Sequence, residues 1–226
     1  MISFFNIFWK GIIILIPWKI RRFLLIKFWK YDIHPTARIG LSYIYPRHLV
    51  MKAGSAIGHL NVAIHLDKIE MGENVSIGRS NWITGFPTKT NSKHFTHQTD
   101  RKSELIIGNE SAITKHHHID CTNHITIGSF ATVAGYNSQL LTHSIDVYEN
   151  CQSSQPIEIG DYCFISTHVV ILGGSFLPAK SVLGAGAVLN NKYEKEWKLY
   201  AGVPAKPIKD IPQDAKYFHR TEGFVW

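Results

Sequence analysis

Thirteen histidines in 226 residues give this chain a generous supply of imidazole. That group titrates near neutrality, so it can act as a general base, a proton donor or a metal ligand. Three stand side by side, His116, His117 and His118, with Asp120 and His124 just beyond. Zinc needs ligands that converge on one point. Neighbouring residues on a strand face opposite ways, so the triplet cannot gather round one ion within a single chain. A set drawn from two subunits, through His118, His124 or His143, stays open. His143 itself lies in a polar stretch, residues 140–156, together with Asp146, Glu149 and Gln152. A second polar stretch, residues 84–106, carries Pro87, Lys89, His94, His97, Asp100, Arg101 and Lys102. Cys121, Cys151 and Cys163 form an odd set with no C-x-x-C spacing. They predict neither a disulfide framework nor a zinc ribbon, and they fit a reducing cytoplasm.

Those two polar stretches interrupt a regular beat. From residue 57 onward an aliphatic residue recurs at every sixth position. The longest run is Ile159, Ile165, Ile171, Leu177, Leu183 and Leu189, and shorter runs include Ile107, Ile113, Ile119 and Met71, Ile77, Ile83. A period of six matches neither a helix nor a half-exposed strand. It suits a three-sided β-solenoid, with one aliphatic residue pointing inward on each side and small residues at the corners. Insertions at such corners often build the working surface. Past Leu189 the beat stops. Residues 190–226 read as a charged, proline-punctuated extension, with a short helix predicted over 193–198.

Charge is distributed unevenly. Residues 1–31 hold Lys10, Lys19, Arg21, Arg22, Lys27 and Lys30 and no acid, while the rest has 18 basic and 17 acidic residues. The body is therefore nearly neutral, which argues against nucleic acid as a partner. The same 31 residues contain Phe4, Phe5, Phe8, Trp9, Trp18, Phe23, Phe28 and Trp29, broken by Lys10 and Pro17. No apolar run reaches the roughly 20 residues that span a bilayer. Cations interleaved with bulky aromatics predict an amphipathic helical segment lying on an anionic membrane surface. The competing reading is a helix packed on the body or on a neighbouring subunit. The expected organisation is a membrane-associating segment at 1–31, a solenoid at 32–189 and an extension at 190–226.

Several pieces of the solenoid, in order, resemble one family. They are I-D-C-T-N-H-I-T-I-G from residue 119, L-L-T-H-S-I-D from 140, P-I-E-I-G-D-Y-C-F-I-S from 156, L-G-A-G-A-V-L from 183 and A-G-V-P-A-K-P-I-K from 201. The chain is similar in these to the hexapeptide-repeat acetyltransferases, including galactoside, maltose and capsular-sugar O-acetyltransferases. The resemblance implies an all-β fold, a left-handed parallel β-helix. It also implies a homotrimer with active sites between subunits, and acetyl-CoA as donor. His143 falls where that family carries its catalytic base. A sugar hydroxyl is a poor nucleophile until a base takes its proton during attack on the thioester, and imidazole suits that task.

The resemblance carries further residues with it. Thr167 and Ala185 occupy positions along the pantetheine groove, and Lys206 that of a phosphate-contacting cation. Lys192 stands one place beyond the family's usual basic position, which Asn190 and Asn191 replace. His116, His118 and Asp120 lie where sugar acetyltransferases hold the acceptor, although the usual Asn is missing from that stretch. Asn137 either faces the cleft or stacks in an asparagine ladder. Asp146 orients His143, contacts the sugar or is a solvated loop acid. No metal is expected on this reading. The expected acceptor is a surface polysaccharide or its lipid-linked precursor, at the cytoplasmic face of the membrane. Two other readings compete: a metalloenzyme similar to the gamma-class carbonic anhydrases, whose usual histidine motifs are absent, and a β-helical membrane scaffold without activity.

Overall fold

The computed structural model describes residues 9–225. Seven coils stack into a three-sided prism, each contributing one short strand to each of three parallel sheets. Side one contains Asp32–Ile33, His48–Met51, Lys68–Met71, Glu104–Ile107, Ile125–Ile127, Ile157–Ile159 and Phe176–Leu177 in that spatial order. Side two runs from Arg38–Ile39 to Val182–Leu183, and side three from Tyr43–Tyr45 to Val188–Leu189. Register is strict: Ile125 pairs with Ile157, Val133 with Ile165 and Leu140 with Ile171. Identical positions therefore stack, and the six-residue beat becomes aliphatic columns inside the prism. Ile159, Ile165, Ile171, Leu177, Leu183 and Leu189 are all buried.

Corners between the sides must turn sharply within a few residues. Residues with positive φ recur there: Leu60, Ser80, His116, Asn137 and His168 between sides two and three, and Asn74, Glu110, Phe130, Tyr162 and Lys180 between sides one and two. A left-handed residue other than glycine costs roughly 1–2 kcal/mol. The stacked hydrogen bonds of neighbouring coils hold each one in place. Inside the side-two–side-three corner runs a polar ladder. Asn81 N–H donates to Asn61 Oδ1 (2.9 Å), His117 N–H to Asn81 Oδ1 (2.9 Å) and Ser138 N–H to His117 Nδ1 (3.2 Å). The middle histidine of the triplet is thus a buried rung of the ladder. Asn137 is not in it; it is the exposed turn residue beside Ser138.

Among the described residues, only the corner between sides three and one carries long excursions. The first occupies residues 85–103, because Thr84 and Glu104 already belong to strands. The second is an antiparallel hairpin, His143–Asp146 with Cys151–Ser154. Cys121 and Cys163 are buried core residues, and burial pushes the Cys163 thiol up to about 12.

Both ends of the prism are covered. At the start, residues 9–14 are helical and helix α1 follows at Trp18–Trp29. Arg21 donates to the carbonyls of Gly40 and Ser42 (both 2.7 Å), Arg22 to that of Ile33, and Trp18 to that of Ala37. Leu25 is buried in the core cluster. One face of α1 thus lids the first coil, so two of the segment's cations serve the body. Among the described residues no helix is long and apolar enough to cross a membrane. At the far end the predicted helix at 193–198 does not form. Lys198–Ala201 instead adds an eighth parallel rung to side two and pairs antiparallel with Lys206–Asp210. The last residues strap back along side two: Arg220 lies 3.9 Å from the Tyr217 ring centre, and Tyr217 donates to Thr132 Oγ1.

Candidate active site

His143 is the first residue of the hairpin, at the point where the chain leaves side three. One coil below, Asp120 ends the strand His118–Asp120, whose register places Asp120 beside Leu141. The two side chains meet: His143 Nδ1 lies 2.6 Å from Asp120 Oδ2. Asp120 is held by more than the ring. Its Oδ1 accepts from the Thr122 backbone N–H (3.1 Å) and hydroxyl (2.7 Å), and its Oδ2 also accepts from the His143 N–H (3.2 Å). The Thr142 hydroxyl donates to the Asp120 carbonyl at 2.8 Å, tying the hairpin root to the coil beneath.

Electrostatics follow from this geometry. Burial pushes the Asp120 carboxyl up, but hydrogen bonds from His143 and Thr122 outweigh it and hold the group below its ordinary value. The hydrogen bond to Asp120 raises His143 above its ordinary value against a smaller opposing effect of burial. An ionised Asp120 fixes the proton on Nδ1, so Nε2 is the basic nitrogen. The carboxylate is 6% exposed and the imidazole 43%. A buried anion behind a half-exposed ring can stabilise the imidazolium that forms when Nε2 takes a proton.

Two cavities meet at His143. One, of about 350 Å³, lies over the hairpin root and the next coil, with Leu141, Ser144, Gln155, Leu172 and Gly173 in its wall. The other, of about 320 Å³, opens toward the 85–103 insertion and is lined by Thr84, Phe86, His94, Phe95, Thr122 and Gln152. The insertion is rigidly anchored. Arg101, 7% exposed, donates to the carbonyls of Phe86 and Thr122, and its guanidinium lies 4.7 Å from the Phe95 ring centre. Phe95 meets the His143 ring edge-to-face at 6.3 Å. Gln98 donates to the Ser154 carbonyl (2.9 Å) and accepts from its hydroxyl (2.6 Å), joining the insertion to the hairpin.

Other residues singled out in the sequence lie elsewhere. Asp146 does not reach His143; its Oδ1 accepts the N–H groups of Tyr148 and Glu149 and shapes the hairpin turn. His116 and Asn137 are exposed turn residues on the far edge of side three, and His118 is exposed on its outer surface. Thr167 and Ala185 share that far edge. The Thr167 hydroxyl donates to the Tyr136 carbonyl at 3.1 Å, and the space beside the neighbouring Gly186 is open. Lys206 is exposed just past the end of this edge, where Ala205 N–H donates to the Val188 carbonyl. Lys192 is exposed beyond the last coil, bridged to Phe176. Within one chain, then, His143 and the Thr167–Ala185 row occupy opposite edges of one sheet. Among the described residues no three His, Cys, Asp or Glu side chains converge as a metal site.

No family model matches the sequence, and no curated protein is similar to it. Solved structures are similar in fold. The polysialic acid O-acetyltransferase OatWY superposes with a TM-score of 0.51 at 16% identity, covering 87% of this chain and 86% of its own. A hexapeptide-repeat acetyltransferase of Vibrio cholerae superposes with a TM-score of 0.50 at 22% identity, covering 63% of this chain and 74% of its own. The chain has the fold of the hexapeptide-repeat acetyltransferases. That fold is the left-handed parallel β-helix expected from the sequence.

Sequence reasoning placed Asp120 among acceptor-binding residues, named Arg101 only as part of a polar stretch, and missed Phe95 and Gln98. Asp120 and His143 are 23 residues apart, and no simple multiple of six joins them. Only knowledge of the corner lengths in coils four and five would have stacked one above the other.

Proposed function

We propose that this protein transfers an acetyl group from acetyl-CoA to a hydroxyl of a sugar, with His143 as general base. The observation that carries this reading is the Asp120–His143 pair, with its basic Nε2 between two cavities. The cavity over the hairpin root takes the thioester end of acetyl-CoA. The cavity under the insertion takes the sugar, against the Phe86 and Phe95 rings. As the hydroxyl oxygen attacks the thioester carbonyl, Nε2 accepts its proton. The tetrahedral intermediate then collapses, the C–S bond breaks, and the imidazolium returns the proton to the departing thiolate. Ester and free thiol are the products. Asp120 is a positioning residue that fixes the tautomer and offsets the imidazolium charge.

The opposite placement of His143 and the Thr167–Ala185 row supports a second element of the reading. An extended CoA cannot be served by both edges of one sheet, so the row on a neighbouring copy supplies the pantetheine groove. A closed ring of identical copies, a homotrimer, meets that need. Lys206 then lies near the CoA phosphates. A cytosolic donor favours a cytoplasmic enzyme acting on a surface polysaccharide or its precursor.

The test is release of free CoA thiol from acetyl-CoA across a panel of purified oligosaccharides. Mass spectrometry should find one added acetyl on the sugar whenever thiol release depends on the acceptor. Acetyl-CoA that binds but is never consumed with any glycan would overturn the reading.

A further inference from the structure

Large apolar side chains are stabilised by leaving water. Helix α1 covers those on one side only. Its inner face, through Trp18, Arg21 and Leu25, is docked on the first coil. Its outer face leaves Ile20 55%, Phe23 58% and Phe28 64% exposed, and Ile12 and Leu15, just upstream in the chain, are exposed as well. Lys19, Lys27 and Lys30 are exposed too, and the Lys27 ammonium lies 5.5 Å and 5.7 Å from the ring centres of Phe23 and Phe28. Not one acid occurs before Asp32.

A protein partner of matching chemistry would need an acidic, apolar groove. A second copy cannot supply it, because the same face on another chain brings lysines to lysines. An anionic bilayer supplies both features over an unlimited area: negative headgroups for the lysines and an acyl layer for the rings. The inward use of Arg21 and Arg22 sharpens the match, since only the flexible lysines remain outside and long side chains can reach the headgroup layer.

We propose that the outer face of α1 docks on an anionic lipid bilayer and stands the prism upright on it. The inner face of α1 lids the first coil, so the outer face points away along the coil axis. His143 leaves the fifth coil. Four steps at about 4.8 Å each place it roughly 19 Å above the helix-bearing coil. A group anchored in the same bilayer reaches Nε2 only if it stands that far out. The acceptor is thus an outer sugar of an extended lipid-linked glycan, and a sugar attached directly to the lipid is out of reach. This statement about height rests on the acyl-transfer reading; the docking surface does not.

The full chain is tested by flotation with vesicles of phosphatidylcholine alone and of phosphatidylcholine mixed with phosphatidylserine. The wild type is expected to float with the mixed vesicles and to be released by salt. The double substitution Phe23→Ser with Phe28→Ser should weaken binding by at least about tenfold, because two rings no longer enter the acyl layer. Both positions are exposed, so the melting temperature and acetyl-CoA affinity should be unchanged. Equal flotation of the variant, or no flotation of the wild type, would overturn the surface. So would concentration-dependent self-association through this face without vesicle binding.

Vesicles carrying a lipid-linked single sugar or a lipid-linked long chain test the height. Acetylation of the long chain alone is expected on vesicles, and equal acetylation of the single sugar would overturn it. Intact flotation with no transfer to either acceptor, even in detergent, would instead remove the acyl-transfer reading and leave the docking surface standing.

Discussion

The two edges of side three are built from the same repeat and have diverged in opposite directions. The edge shared with side two keeps tight corners throughout, with a left-handed residue at Leu60, Ser80, His116, Asn137 and His168 and a glycine at 186. Uniform corners make a continuous wall along which an elongated ligand can lie. The edge shared with side one releases the chain twice, at 85–103 and at the hairpin, and the two excursions clasp each other through Gln98 and Ser154. On the proposed function, one edge is a rail and the other holds the machinery. A β-helix can vary one corner freely because each coil's core contacts are with the coils above and below it.

If that division is right, damage to the two edges must have different signatures. The largest effect is expected at the machinery. His143→Ala should lower kcat by roughly 10²–10⁴-fold while acetyl-CoA binding, measured by calorimetry, stays intact; activity within a few-fold of wild type would remove His143 as the base. Damage to the rail should do the reverse. Ala185→Trp fills the open corner beside Gly186, so acetyl-CoA affinity should fall at least about tenfold. The melting temperature should hold, because Ala185 is exposed while Leu183 and Leu189 carry the core.

Asp120→Asn sharpens the machinery side. The carboxylate raises the His143 pKa, so the acidic limb of the wild-type pH–rate profile, where activity rises as the ring loses its proton, should lie above the ordinary histidine value. The variant's midpoint should move to lower pH, with a lower plateau because the imidazolium loses its counter-charge. A profile unchanged in midpoint would deny Asp120 its positioning role.

Smaller effects are expected from the ladder inside the rail's corner and from the rail's far end. Burial depresses the His117 pKa from 6.5 to about 4. The folded state thus resists charging this ring, and its contribution to stability is whole above 6.5 and declines as pH falls from there toward 4. His117→Asn, which keeps a polar ladder rung without a titrating group, should flatten the fall in melting temperature across that window. Last, Lys206→Glu should weaken acetyl-CoA binding modestly, and added salt should shrink the difference because the side chain is exposed.

The prism was legible in the sequence because its signal is repetitive. Every sixth residue faces the same column, so Ile159 to Leu189 announced themselves without knowledge of any contact. His143 was legible only through the motif around it. Asp120 was visible as a residue but not as its partner, since the pairing depends on how many residues each corner spends. His117 carried no role in the sequence reading; it falls in the corner between two strands, where the turn sends it inward as a ladder rung while His116 and His118 stay outside. The 85–103 insertion was recognisable as polar. Nothing in its composition foretold that Arg101 would be buried between Phe86 and Phe95. Residues 1–31 carried two signals at once, aromatics and cations, and the structure divides them between a face that lids the first coil and a face turned away from it. Residues 1–8 of that segment lie outside the described residues.

Complementation tests the central claim that the two edges meet between copies. His143→Ala and Ala185→Trp chains are coexpressed, purified as mixed assemblies through different affinity tags and assayed at an acetyl-CoA concentration far below the Kd of the Ala185→Trp chain, where each homo-oligomer is nearly inactive. In a mixed ring of three, whether two-to-one or one-to-two, about a third of the sites pair an intact His143 with an intact rail from the neighbour. Acetyl transfer should therefore return to about that fraction of wild type. Mixed assemblies that remain as inactive as their parents would show that base and rail never share a site across copies, and would contradict the account.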